Sequence, residues 1–195
     1  MGQKINKNQH KKLILKINLI FLFSLILLSY CLADERKKDL DQLFSDLKTN
    51  NVDISNKAEK KIWDIWSTHP TNDDLTETLA KGSFFVNNNQ LIKAIELFTD
   101  VINIDPKWAE AWNKRATVLY MIGEYQKSQD DINKVLELEK RHFGALAGQG
   151  LVNIKLKNYE KAIQSYQEAQ KIYPSMKSPS IMIEEIKRLI KKQSI

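Results

Sequence analysis

The sequence predicts an all-α chain, a solenoid of helix–turn–helix repeats flanked by further helices. Three observations carry that expectation. Only six Gly and four Pro occur in 195 residues, too few for the many turns of a β-rich fold. Apolar residues recur at helical spacing along most of the chain. Above all, three segments align without gaps at a spacing of 34 residues, the mark of a repeat array. A hydrophobic content of 43% and a charged content of 28% exclude wholesale disorder. The length excludes a large multidomain enzyme.

Residues 1–33 read as a targeting segment. Lys4, Lys7, Lys11, Lys12 and Lys16 precede an apolar run from Ile17 to Leu28, and Ser29-Tyr30-Cys31-Leu32-Ala33 follows. That is the order of a secretory signal, with small Ala33 at the expected cleavage point. The run is short for a ~30 Å hydrocarbon layer, which takes about 20 residues. Counted from Leu13 to Leu32 it nearly reaches that length, so a retained N-terminal membrane anchor is the alternative, with membrane contact through residues 13–32. In either case the Lys cluster stays cytoplasmic and the remainder is exported, to the periplasm or outside the cell, or facing the periplasm from an inner-membrane anchor. Leu28-Ser29-Tyr30-Cys31 loosely resembles a lipobox, but bulky Tyr30 stands where that motif wants a small residue. Cys31 is the only cysteine, so the exported part has no disulfide and no thiolate site.

The charge follows the same division. The chain carries 30 Lys+Arg and 24 Asp+Glu, a net charge of +6, and the first 33 residues hold five Lys and no acid. Residues 34–195 are therefore left with 25 basic and 24 acidic groups. This near-neutral remainder has no basic stripe and argues against nucleic acid as a partner.

Residues 34–74 predict N-terminal helices. Leu40, Leu43, Phe44 and Leu47 share one face. Ser55 is the expected cap of a helix to about Ser67 that contains Ile62, Trp63, Ile65 and Trp66. His69-Pro70-Thr71-Asn72 then breaks the chain. The three repeats occupy 75–108, 109–142 and 143–176. Gly82, Ala116 and Gly150 fall in register as a small residue of the first helix, and Ala94, Ser128 and Ala162 as a small residue of the second. Phe98, Ile132 and Tyr166 form the large slot that fills the gap between the two helices. Pro106 and Pro174 end the unit, with Lys140 in the middle copy, because a proline just past a helix cannot continue it. Residues 177–195 predict a capping helix, opened by Ser178-Pro179. Ile183, Ile186, Leu189 and Ile190 are expected inward, and Glu184, Glu185, Lys187 and Arg188 outward.

Trp112, Ala116, Gly123-Glu124-Tyr125 and Ile132, then Gly150, Tyr159, Ala162, Tyr166, Ala169 and Pro174, give residues 75–176 their family character. They resemble the tetratricopeptide repeat, and the chain is similar to exported bacterial proteins of that kind. The resemblance implies a right-handed superhelix with a concave groove lined by the first helix of each repeat. Carried over by position, the groove presents Thr76, Leu79, Ser83 and Val86, then Asn113, Lys114, Thr117, Tyr120 and Met121. Ala147, Gly148, Leu151, Ile154 and Lys155 continue it. The family's basic clamp on a partner's C-terminal carboxylate needs Lys, Asn or Arg at places held here by Leu79, Ser83, Gly144 and Gly148, so that mode is not expected. Arg115 and Gln149 stand in a slot the family usually fills with apolar residues. A buried charge there needs a partner, and a structural ion pair is the favoured reading of Arg115 over a ligand contact.

No catalytic, cofactor or metal site is expected. His69 and His142 lack ligand spacing, and His142 reads as a polar residue in an inter-repeat turn. No nucleophile elbow or phosphate-binding loop occurs. Asp130-Asp131 reads as solvated helix surface. Trp63, Trp66, Trp108 and Trp112 read as core, and Gly144, Gly148 and Gly150 as points of close helix packing. The expectation is an exported, non-enzymatic interaction module, a scaffold or adaptor binding a protein or peptide through Asn113, Lys114, Thr117, Tyr120, Leu151 and Lys155. The alternative is a membrane-anchored structural subunit of an envelope assembly that docks through its outer faces.

Overall fold

The computed structural model describes residues 7–49 and 51–193, with side chains from residue 15 onward except at 22 and 25–34. Lys4 and the side chain of Cys31 lie outside the described residues. Two compact units divide between Gln42 and Leu43. In the first, helix α1 (Lys7–Leu47) begins, and Leu15, Ile17, Leu19, Ile20, Phe21 and Phe23 are exposed. Among the described residues no helix is long and apolar enough to cross a membrane.

The second unit holds the end of α1 and eight further helices among the described residues. They are α2 (Val52–Ser67), α3 (Asp73–Asn87), α4 (Leu91–Ile104), α5 (Ala109–Met121), α6 (Tyr125–Leu138), α7 (Phe143–Lys155), α8 (Tyr159–Ile172) and α9 (Lys177–Gln193). The three repeats are the pairs α3–α4, α5–α6 and α7–α8. Their second helices start 34 residues apart, as the sequence register requires. Each pair is joined by a turn with one left-handed residue, at Asn89, Gly123 and Lys157. In each turn the following amide closes back five residues, from Gln90 to the Phe85 carbonyl, Glu124 to Leu119, and Asn158 to Asn153. That closure satisfies a carbonyl the helix end leaves open. Gly occupies the left-handed position without steric cost, whereas Lys157 sits there against its preference.

The small and large slots meet as the alignment requires. A Cβ added at Gly82 would run into the Phe98 ring, and one at Gly150 would lie 2.6 Å from the Tyr166 ring. In the middle copy Ile132 is smaller and Ala116 is tolerated. Tyr166 is fully buried and its hydroxyl has no partner among the described residues. Burial, followed by Tyr120 and Glu185, pushes its pKa upward.

Helix α2 lies across the junctions between repeats. The Trp66 carbonyl accepts a 2.8 Å hydrogen bond from Trp108 Nε1, at the first junction. At the second, Trp66 stacks on the His142 ring at 3.9 Å, and Trp63 meets Phe143 edge-on. At the third, Ser55 shares a 2.8 Å hydrogen bond with Ser175, and the Tyr173 hydroxyl donates to Glu59 at 3.0 Å. From Ser55 to Trp66 a helix rises about 16 Å, close to two interhelical spacings of about 8–10 Å. The strap therefore fits the three junctions it touches.

Three expectations change here. The cap of α2 is Asn51, whose side-chain oxygen accepts from the Asp53 and Ile54 amides. Ser55 is instead buried against Ser175. Asp131 is buried rather than solvated. Leu189 on α9 is exposed, while Ile183 and Ile186 face inward as expected. Trp66 and Trp108 are core; Trp63 and Trp112 are half-buried.

Candidate functional site

The first helices of successive repeats touch one another, α3 with α5 and α5 with α7. Grooves open between the second helices, so the array curls with the first helices inside. On that inner face a cleft of about 70 Å³ lies between α5 and α7, floored by Ser128 and Ile132 of α6. Asn113, Thr117 and Tyr120 share one face of α5 because positions four and seven apart coincide on a helix. Leu151 faces them from α7, 38% exposed. Gly148 keeps the α7 wall low, since nothing but an Ile132 methyl stands near a Cβ built there, whereas Gly144 makes room for the Trp63 ring. The Tyr120 ring is braced by Tyr125, with centroids 5.5 Å apart.

Four of the six predicted groove residues thus meet in one cleft. Lys114 does not line it; its Nζ lies 3.3 Å from Glu110 Oε1, a charge pairing not aligned as a hydrogen bond. Lys155 is exposed and lies outside the lining. Leu79, expected to face the groove, is instead buried in the first repeat's core, leaving only Thr76, Ser83 and Val86 of that group partly accessible.

Glu110 is the residue sequence reasoning missed. It is 1% exposed, and its Oε2 accepts from Asn113 Nδ2 and from His142 Nε2, each at 3.1 Å. The His142 Nδ1 accepts the Ala145 amide at 3.0 Å, capping α7, which places the ring proton on Nε2. His142 closes the inter-repeat turn, its amide donating to the Glu139 carbonyl at 3.1 Å, and is also a buried cap and an inter-repeat tie. Glu110 couples that tie to the cleft: the carboxylate that holds His142 also fixes the Asn113 amide. With His142 at 0% and Glu110 at 1% exposure, no substrate reaches this His–carboxylate couple. Among the described residues no His, Cys, Asp and Glu side chains are grouped to hold a metal ion.

Among the described residues, two grooves on the outer face each lie between neighbouring second helices. The first, about 450 Å³, lies between α4 and α6 over α5. Arg115 closes its floor. The guanidinium donates to both Asp131 oxygens at 2.7 and 2.8 Å and to Thr99 Oγ1 at 3.1 Å. Its other face covers the Trp112 ring at 5.0 Å. The ion-pair reading of Arg115 holds. The second groove, about 440 Å³, lies between α6 and α8 over α7, at positions 34 residues further on.

A family model described as tetratricopeptide repeat matches residues 143–176. A TPR repeat-containing protein of Rhizobium etli is 32% identical over 71% of this chain and 68% of its own length. The chain belongs to the tetratricopeptide-repeat family. A further relative of the repeat domain is the Hsp70-Hsp90 organizing protein 1 of Glycine max, 27% identical over 51% of the chain but only 17% of its own length. Among solved structures, the first TPR of Spaghetti (RPAP3) bound to the HSP90 peptide SRMEEVD superposes with a TM-score of 0.59. It is 17% identical, and the match covers 60% of this chain and 93% of that one. At that identity the likeness concerns the fold of the repeat pairs alone.

Proposed function

We propose that this tetratricopeptide-repeat protein is a non-enzymatic interaction module whose α5–α7 cleft takes up a segment of a partner protein. The observation that carries the reading is the convergence of Asn113, Thr117, Tyr120 and Leu151 on the inner face. Tyr120 and Leu151 offer an apolar seat for one side chain, and Asn113, already fixed by Glu110, keeps an acceptor oxygen and one N–H for a main chain. The tetratricopeptide repeats that bind HSP90 and HSP70 peptides support a peptide as the ligand class. The segment differs in kind from those acidic tails: Lys114 is engaged by Glu110, and Gly148 offers no donor.

Export is part of the proposal. The Lys-rich, apolar start followed by Ala33 supports a signal sequence, which would leave a periplasmic or secreted protein. The exposed apolar side chains from Leu15 to Phe23 equally suit a retained anchor, and with it the envelope-subunit reading. A mature mass lacking residues 1–33 selects the first; full-length protein in the membrane pellet selects the second. For the cleft, a photo-crosslinking amino acid at Thr117 is expected to trap a protein adduct in the host cell. Tyr120→Ala or Leu151→Ala is expected to abolish that adduct. A trapped adduct indifferent to both changes would place the partner elsewhere.

A further inference from the structure

We infer that the α6–α8 groove on the outer face is a second peptide site, one that reads the main chain of an extended, uncharged segment. Its lining is dominated by carboxamides, where the equivalent groove one repeat earlier has Ile95, Leu119 and the Arg115–Asp131 pair. Gln129 replaces Ile95, Asn153 replaces Leu119 and Gln149 replaces Arg115 in the 34-residue register.

These amides are ordered. Asn158 Nδ2 donates to Asn153 Oδ1 at 3.4 Å, Asn153 Nδ2 to Gln129 Oε1 at 3.3 Å, and Gln129 Nε2 to Asn133 Oδ1 at 2.9 Å. The chain of bonds runs head to tail, so a spare acceptor remains at Asn158 and a spare donor at Asn133. Gln149 Oε1 lies 3.0 Å from the Ser165 hydroxyl, whose single proton also faces the Lys161 carbonyl at 2.8 Å, and Gln149 Nε2 has no partner among the described residues. Asn153 is buried and anchored to the Gln149 carbonyl at 2.9 Å, so the row is fixed before any ligand arrives.

The spacing selects the ligand. Gln129 and Asn133 lie one turn apart on α6, and Gln149 and Asn153 one turn apart on α7, an axial step of about 6 Å. An extended polypeptide presents a like-facing N–H and C=O every second residue, about 6.6 Å. Carboxamides supply both a donor and an acceptor, the complement of a peptide group. No aromatic ring lines the groove, so the flat apolar face of a sugar ring finds nothing to stack on, and an oligosaccharide is disfavoured. With one Lys and one Glu in the lining, Lys161 and Glu168, no net charge is selected.

The test is a titration of the full chain, labelled with 15N, followed through the side-chain amide signals of Gln129, Gln149 and Asn153. The probes are a capped Ser-Ala hexapeptide, the same peptide N-methylated at alternate residues, and maltotetraose, each to about 10 mM. The expected result is a saturable shift with the unmodified peptide and binding about tenfold weaker for the N-methylated one. Gln149→Leu should weaken binding by a similar factor. Gln164→Leu, an exposed change on α8 in the same lining, provides the same loss should the first variant disturb the fold. Equal binding of both peptides, a response to maltotetraose alone, or no shift at the highest concentration would overturn the proposal.

Discussion

The two outer grooves of this protein share a backbone and differ in chemistry. Both lie between second helices over a first helix, at about 450 and 440 Å³, and every residue lining the first has its counterpart 34 residues on in the second, which adds Gln126 and Glu168. One floor is locked by a bidentate ion pair between α5 and α6. The other is a row of neutral amides with unspent donors. The frame slots, Gly or Ala against a large side chain and a left-handed turn residue, set the cavity. The slots between them, free of that constraint, set what the cavity does.

Breaking the lock should have the largest effect. Arg115→Met leaves Asp131 buried without its partner and should cost about 3 kcal/mol in chemical denaturation, since losing one member of a buried pair strands the other charge. The equivalent Gln149→Met removes one neutral hydrogen bond and should stay within about 1 kcal/mol. Similar losses at the two positions would erase the distinction between the grooves.

The helix pairs behind the grooves differ next. Gly150→Ala drives a methyl into the Tyr166 ring and should cost about 1–3 kcal/mol despite the better helix propensity of Ala. Ala116→Gly, in the copy where Ile132 leaves room, should lose only about 1 kcal/mol, the propensity difference. Thermal melts of both variants decide it. The turns sharpen the comparison further: Lys157→Gly should stabilise by about 1 kcal/mol, and Gly123→Ala should destabilise by a similar amount. A neutral Lys157→Gly would mean that its left-handed turn carries no strain.

The smallest effect is expected at Tyr166→Phe. The orphan hydroxyl contributes no bond, so its removal should be neutral or stabilising by up to about 1 kcal/mol at pH 7. Because burial raises the pKa of Tyr166, the folded state favours its neutral form. The stability tied to that hydroxyl is complete below about pH 10, the unfolded value, and declines only as pH rises above it. Wild type and Tyr166→Phe should therefore have parallel stability profiles from pH 6 to 9. They should diverge only on the alkaline side.

The repeat frame was legible in the sequence because each frame slot recurs three times and its partner lies in the same copy. Gly82 with Phe98 and Gly150 with Tyr166 announce themselves by register. Four cleft residues were legible only through the family resemblance, which puts the first helices on the inner face, because these positions vary from copy to copy. What sequence left dark are contacts made once and at long range. The α2 strap finds Ser175 at a separation of 120 residues and Tyr173 at 114, through slots that vary from copy to copy. Asp131 reads as surface because its neighbour Asp130 is exposed, and only the fold brings Arg115 across to it. Glu110 carries no signal at all beyond being an acid in the first turn of a helix, where acids are favoured anyway. Its role depends on His142, 32 residues away at the far end of the same copy, where it caps α7.

The claim that one frame carries two different floors is tested most directly by a pair of double-mutant cycles in urea. One cycle couples Arg115 to Asp131 through Arg115→Met and Asp131→Leu; the other couples Gln149 to Ser165 through Gln149→Met and Ser165→Ala. The expected coupling is about 2 kcal/mol or more in the first cycle and about 0.5 kcal/mol in the second. Equal couplings would contradict the account and make the grooves two versions of the same structural joint.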